Sequence, residues 1–186
     1  MKIRTSLLAI GLIATVSFAQ ESKEDAIKIG NEAFKTMLQK MGGGLKSHLK
    51  KGGPIAAAEY CSINAQSMTA EINKGLKDGV TIKRVSLNPR NQINTPTKDE
   101  KIILESLENL KAQGVILPPY FLEEMPNGDY KYYKPIVIDK PVCLKCHGNI
   151  SGNKVGNWMK EHYPQDKAIN HKMGDIRGVA VVEIKK

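Results

Sequence analysis

The chain of 186 residues is short of three things. It has three cysteines, 5% aromatic residues, and no apolar run approaching the roughly 20 residues a membrane-crossing helix needs. So few cysteines exclude a disulfide-dense secreted scaffold, which packs them in larger even numbers into shorter chains. The lack of a long apolar run predicts no transmembrane helix. Acidic charge is also the scarcer sign, with 19 Asp plus Glu against 28 Lys plus Arg. The basic excess is spread along the chain (Lys40, Lys46, Lys50, Lys51, Lys74, Lys77, Lys83), with no finger-like, RNP-like or helix-turn-helix signature beside it. It therefore reads as a solvated surface, with nucleic acid excluded as an expected partner.

What is present begins with a leader. Lys2 and Arg4 precede an apolar run over residues 7–16, followed by Ser17-Phe18-Ala19, the pattern of a secretory signal peptide cleaved near Ala19. Residues 1–19 are thus expected to be removed, which lowers the formal net charge of +9 by two. Residues 20–186, at 41% apolar content for the whole chain, are expected to form one exported or periplasmic domain.

Within that domain, apolar positions recur near a period of 3.6 over residues 22–41, predicting an amphipathic helix with Ser22 and Asp25 available to cap its start, which Gly42-Gly43-Gly44 should break; a short helical turn carrying His48 is expected next, and Gly52-Gly53-Pro54 punctuates again. A second long helix is expected from Pro54 to Lys77, ended by Gly79, and a third over residues 98–113. A short strand is expected over residues 80–87. A hairpin should follow, with arms 120–125 and 130–138 around Asn127-Gly128, then a loop over 143–152, a short helix over 154–163 and a terminal strand over 178–184. The class is α+β, with long N-terminal helices and a small antiparallel sheet.

The sharpest motif is Cys143-Leu144-Lys145-Cys146-His147, the C-x-x-C-H spacing of c-type haem attachment. Two thiols at that spacing can each add across a porphyrin vinyl group, and the imidazole that follows can swing under the iron. The attachment is an extracytoplasmic one, in agreement with the leader. Zinc would want a second ligand pair, although His162 and His171 could contribute. A thioredoxin-like pair or a Cys143–Cys146 disulfide would have no use for His147. One motif implies one covalent haem c.

A sixth iron ligand could come from Cys61, Met68, Met125, Met159, Met173, His48, His162 or His171. Cys61 stands apart because Ala57, Cys61, Ala65 and Met68 fall on one helical face, where small residues make a flat seat for a ring.

The chain resembles the exported, PAS-like, single c-type haem domains of bacteria typified by the Tll-type haem proteins. The resemblance rests on residues 58–65 with Cys61 at their centre, Arg84-Val85-Ser86-Leu87, Arg90-Asn91 and Asn94-Thr95-Pro96. Residues 130–135, 143–148 and Gly174-Asp175-Ile176-Arg177-Gly178 complete it. It implies a PAS-like sheet flanked by helices, with iron held by His147 and Cys61. The chain departs from the pattern at Gln92-Ile93, where the family carries a proline, so that loop is expected to be less fixed. Relatives often continue into membrane or signalling modules; here Lys186 follows the last strand, and the domain is expected to act alone or through a partner.

Arg84 and Arg90 are candidate partners for the haem propionates, since a guanidinium fork suits a carboxylate. The functional expectation is redox or diatomic-gas sensing, in contact with a redox or signalling protein. The alternative is a plain periplasmic electron carrier. No peroxidase-like Arg and His pair is recognisable, so enzymatic activity is not expected.

Overall fold

A computed structural model describes residues 22–186; the expected leader lies outside them. The chain is α+β, built on a four-stranded antiparallel sheet of order β1-β4-β3-β2. Its strands are β1 (Val80–Val85), β2 (Phe121–Glu124), β3 (Tyr130–Val137) and β4 (Ile176–Ile184). The expected PAS-like arrangement of a small antiparallel sheet behind long N-terminal helices is the one observed.

Helix α1 (Lys23–Lys74) starts on a capping box, in which Ser22 Oγ accepts from the Asp25 N–H and the Asp25 carboxylate accepts from the Ser22 N–H. It does not break at Gly42-Gly43-Gly44. It runs on to residue 51, because Gly44 is where the ring of Tyr60 lies against the backbone and a Cβ would overlap it. The break comes at Gly52 (φ −141°, ψ 17°) and Gly53 (φ 70°, ψ −164°), a conformation open in practice only to glycine. Residues 54–74 then fold back, with Tyr60 stacked on His48 at 4.0 Å between ring centres. The second segment ends at Gly75 rather than Gly79.

The two faces of the sheet have separate cores. Ala26, Ala33, Met37 and Ile72 of α1 pack on Val80, Ile82, Tyr130, Tyr132, Ala180, Val182 and Ile184. Helix α2 (Lys98–Ala112) covers the opposite face, setting Leu104 and Leu107 against Val85, Tyr133, Val179 and Val181. The opposite parity of these strand residues follows from the two-residue period of a strand. Buried Glu100 serves α2 twice, accepting from the Thr97 N–H in a capping box and pairing with Lys83 Nζ at 2.7 Å. Asn73 closes the end of α1 onto β1, its side chain accepting from the Ile82 N–H (2.7 Å) and donating to the Ile82 carbonyl (3.1 Å).

The remaining segments form the third cluster. Helix α3 (Leu144–His147) replaces the loop expected over residues 143–152, and α4 (Lys154–His162) follows it. Ile150, Val155 and Met159 bury against Ala58 of α1, with Cys146, Trp158 and Tyr163 around them. Among the described residues no helix is long and apolar enough to cross a membrane.

Candidate functional site

The C-x-x-C-H motif lies on one tight turn. A 3₁₀ turn over Pro141–Cys143 leads directly into α3, so Cys143, Cys146 and His147 are spaced by helical geometry. Gly148 ends α3, its N–H bonded to the Leu144 carbonyl, and a Cβ there would lie 2.7 Å from that oxygen. All three cysteines are free thiols.

His147 is oriented by one bond. Its Nδ1 lies 2.9 Å from the Ala168 carbonyl, which fixes that nitrogen as the donor and leaves Nε2 with the lone pair. Burial, then the nearby charges of Arg177 and Arg90, hold the imidazole well below its usual pKa and hence neutral.

Arg90 is the strut behind this arrangement. Its Nε donates to Asp166 Oδ2 (2.8 Å), and one terminal nitrogen donates to both the Cys146 carbonyl (2.6 Å) and the Ala168 carbonyl (3.1 Å). Asp166 in turn accepts from the Ala168 N–H (2.8 Å). One guanidinium thus ties the motif turn to the segment that orients His147.

Cys61 is carried by the part of α1 that packs against the motif turn. Ala58, one turn before it on α1, packs in the cluster that holds Cys146. Ser62, the next residue, accepts from Tyr163 Oη at 2.9 Å and ties this turn of α1 to the end of α4. Burial pushes the Cys61 thiol up, with the charge of Cys146 adding to it and Arg84 and Arg90 opposing. Burial likewise raises Cys146.

The other sequence candidates are engaged elsewhere or lie apart. Met68 Sδ accepts from Tyr60 Oη (3.3 Å), His48 is stacked on Tyr60, and His162 is stacked on Trp158 at 3.8 Å. Met125 belongs to the hairpin turn, where its carbonyl accepts from the Gly128 N–H, and Met173 is exposed. Met159 is buried beside the motif cluster. His171 stands edge-on to His147, 6.2 Å between ring centres, with its Nε2 buried and unpartnered. Among the described residues no three His, Cys, Asp or Glu side chains gather as a metal cage.

The sequence profile of the Tll0287-like family matches residues 13–185. The chain belongs to the Tll0287-like family. The fold agrees with that membership. The crystal structure of the cyanobacterial haem protein Tll0287 superposes with a TM-score of 0.64 at 23% identity, covering 89% of this chain and 97% of that one. No curated protein matches the sequence.

For this Tll0287-like chain the question is whether its residues suit a haem, and three observations say they do. His147 presents one free nitrogen, small alanines line the turn that carries Cys61, and a buried donor stands unpartnered nearby at Arg84 Nε. Sequence reasoning missed Asp166, Ala168, Tyr163 and Arg177. Arg177 stood inside the closing motif that marks the family; the other three act through single hydrogen bonds, which leave no mark on periodicity. The loop at Gln92-Ile93, where the proline is absent, takes a regular turn. Residues Gln92–Asn94 form a 3₁₀ turn capped by Asn91 Oδ1, with Asn94 O accepting from the Ser86 N–H.

Proposed function

We propose that this chain is an exported haem protein carrying one covalent haem c, and that it senses redox state or a small diatomic ligand. Cys143 and Cys146 would hold the group as thioethers, His147 Nε2 would be its proximal ligand and Cys61 its distal one. The observation that carries the reading is the convergence of the Cys61 turn of α1 on a motif turn whose histidine has only Nε2 to offer. A bound haem supplies one-electron chemistry and an iron position open to a diatomic gas.

The residues of the chain supply the rest. The Ala168 carbonyl takes the His147 Nδ1 proton and keeps the imidazole in the ligating tautomer. Burial pushes the Cys61 thiol up, and a sulfur so placed would take up a proton more readily once the charge of a bound haem fell on reduction. A protonated thiol would be a poor ligand, so Cys61 is the residue that would let go of the group in a sensor.

Protein matured with a cytochrome c assembly system is expected to give a c-type pyridine haemochrome, with haem retained through acid-acetone extraction. Extractable haem, or tightly held zinc in its place, would overturn the haem c assignment. Cys61→Ala is expected to replace a thiolate-like low-spin ferric EPR signal and to raise the reduction potential, because an anionic donor is gone. Dithionite-reduced protein is expected to bind carbon monoxide. A ferrous form inert to it would leave the electron-carrier function in place of sensing.

A further inference from the structure

We propose that Arg84 and Arg177 form a two-carboxylate site that receives the haem propionates, while Arg90 serves as internal structure. The inference rests on the haem reading above. It starts from a count of charge. Arg84, Arg90 and Arg177 are close enough to affect one another, and the carboxylate bonded within this group is that of Asp166. Asp166 is already taken by Arg90, at 2.8 Å and largely out of solvent. Of the other charged groups near the site, Asp175 is paired with Lys111 and Lys145 adds a further cation. Two guanidiniums are left over, and a haem brings two propionates.

The unspent donors lie where that count requires. Arg84 is paired with Ala180 in the β1–β4 ladder. It therefore shares the sheet face of Val80 and Ile82, the face that α1 covers, and it comes under the influence of Cys61. Its Nε is buried with no partner among the described residues. Leaving a charged donor dry and unpaired is among the costlier arrangements in a protein interior, and an incoming carboxylate removes the cost.

Arg177 is the second residue of the adjacent strand β4. One of its terminal nitrogens donates to Ser86 Oγ (3.0 Å) and to the Asn88 carbonyl (3.3 Å), and Ser86 Oγ donates back to the Arg177 carbonyl (2.8 Å). Those bonds occupy one terminal nitrogen of the guanidinium and tie the residue to Ser86 and Asn88. Burial, then the charges of Arg90 and Arg84, bring Arg177 down to about 10, with Asp166 opposing. Arg90, by contrast, spends its Nε and a terminal nitrogen on Asp166, Cys146 and Ala168.

The test uses matured protein with covalent haem, so that the thioethers keep the group in place whatever the arginines do. Arg84→Gln and Arg177→Gln are each expected to lower the midpoint potential, and the double variant to lower it further, because a positive charge near the iron is lost. In both, the rise of potential on acidification should begin at higher pH, since a propionate without its guanidinium protonates more easily. The propionate bending bands in resonance Raman should shift. Arg84→Lys and Arg177→Lys should hold the potential near wild type while still shifting those bands; they also serve if a glutamine variant fails to mature. Unchanged potential, pH profile and propionate bands in the Arg84 and Arg177 variants would overturn the pairing and leave the haem assignment standing. A wild-type chain that takes up no haem would overturn both.

Discussion

At the scale of single residues, the site depends on side chains that meet across long stretches of sequence. Tyr163 Oη to Ser62 Oγ is one such contact, joining α4 to the turn that presents Cys61. Tyr163→Phe is expected to lower the unfolding free energy by about 1 kcal/mol, the usual worth of a buried neutral hydrogen bond. Ser62→Ala should cost a similar amount, and a double-mutant cycle in urea should show the two losses to be one. Fully additive losses would mean that the bond contributes nothing. Gly44 makes the opposite case, in which the absence of a side chain is what matters. Gly44→Ala places a methyl group in the Tyr60 ring, and a loss of about 1–3 kcal/mol is expected by thermal or urea unfolding, as for overpacking elsewhere.

At the scale of elements, the hinge of α1 is the informative piece. Gly53 at φ 70° and ψ −164° lets the helix reverse and bring residues 54–74 back along residues 23–51. Gly53→Ala is expected to cost about 1–3 kcal/mol in unfolding free energy, the cost of forcing a side chain into that backbone region. A larger readout is expected in the matured protein, where a shifted helix should broaden the ferric EPR signal assigned to Cys61. The same helix shows what a sequence can and cannot tell. Its amphipathic period, its capping residues, the Asn127-Gly128 turn and the strand pattern all act over a few residues, and the corresponding elements formed where expected. The triple glycine misled because its usual effect, a break, was overridden by an aromatic ring from a helix that folds back on it. C-x-x-C-H was legible for the same local reason. Arg177 and Asp166 were not, because what matters about them is which distant group they face.

Across the whole molecule, the tie between α2, the β4 start and the His171 segment sets a pH response. Burial acts to raise the Asp175 carboxyl, but the bonds from Lys111 Nζ (2.8 Å) and the Lys172 N–H (2.7 Å) outweigh it and hold the group below its usual pKa. A carboxyl with a depressed folded pKa stabilises the fold above its unfolded value, about 3.9 for Asp. That stability is lost as the pH falls through the lower, folded value. Asp175→Asn should therefore cost about 1 kcal/mol at neutral pH and flatten the acid limb below about pH 4 in urea midpoints taken against pH. An acid limb identical to wild type would show that the tie does not act through the carboxylate.

The order of strands carries one more consequence, which concerns time. β4 is last in the chain and yet lies inside the sheet, with β1 on one side and β3 on the other; Ile184 is paired both with Val80 and with Tyr130. The helical reversal around Gly53 joins residues close in sequence and can form early, as local contacts do. The sheet has no such shortcut, since β1 and β3 stay apart until residues 176–184 arrive between them. Arg177 is among those residues, so the site and both cores are completed in one late event. A chain emerging N-terminus first stays open until residues 176–184 are out, and folding then closes it like a clasp.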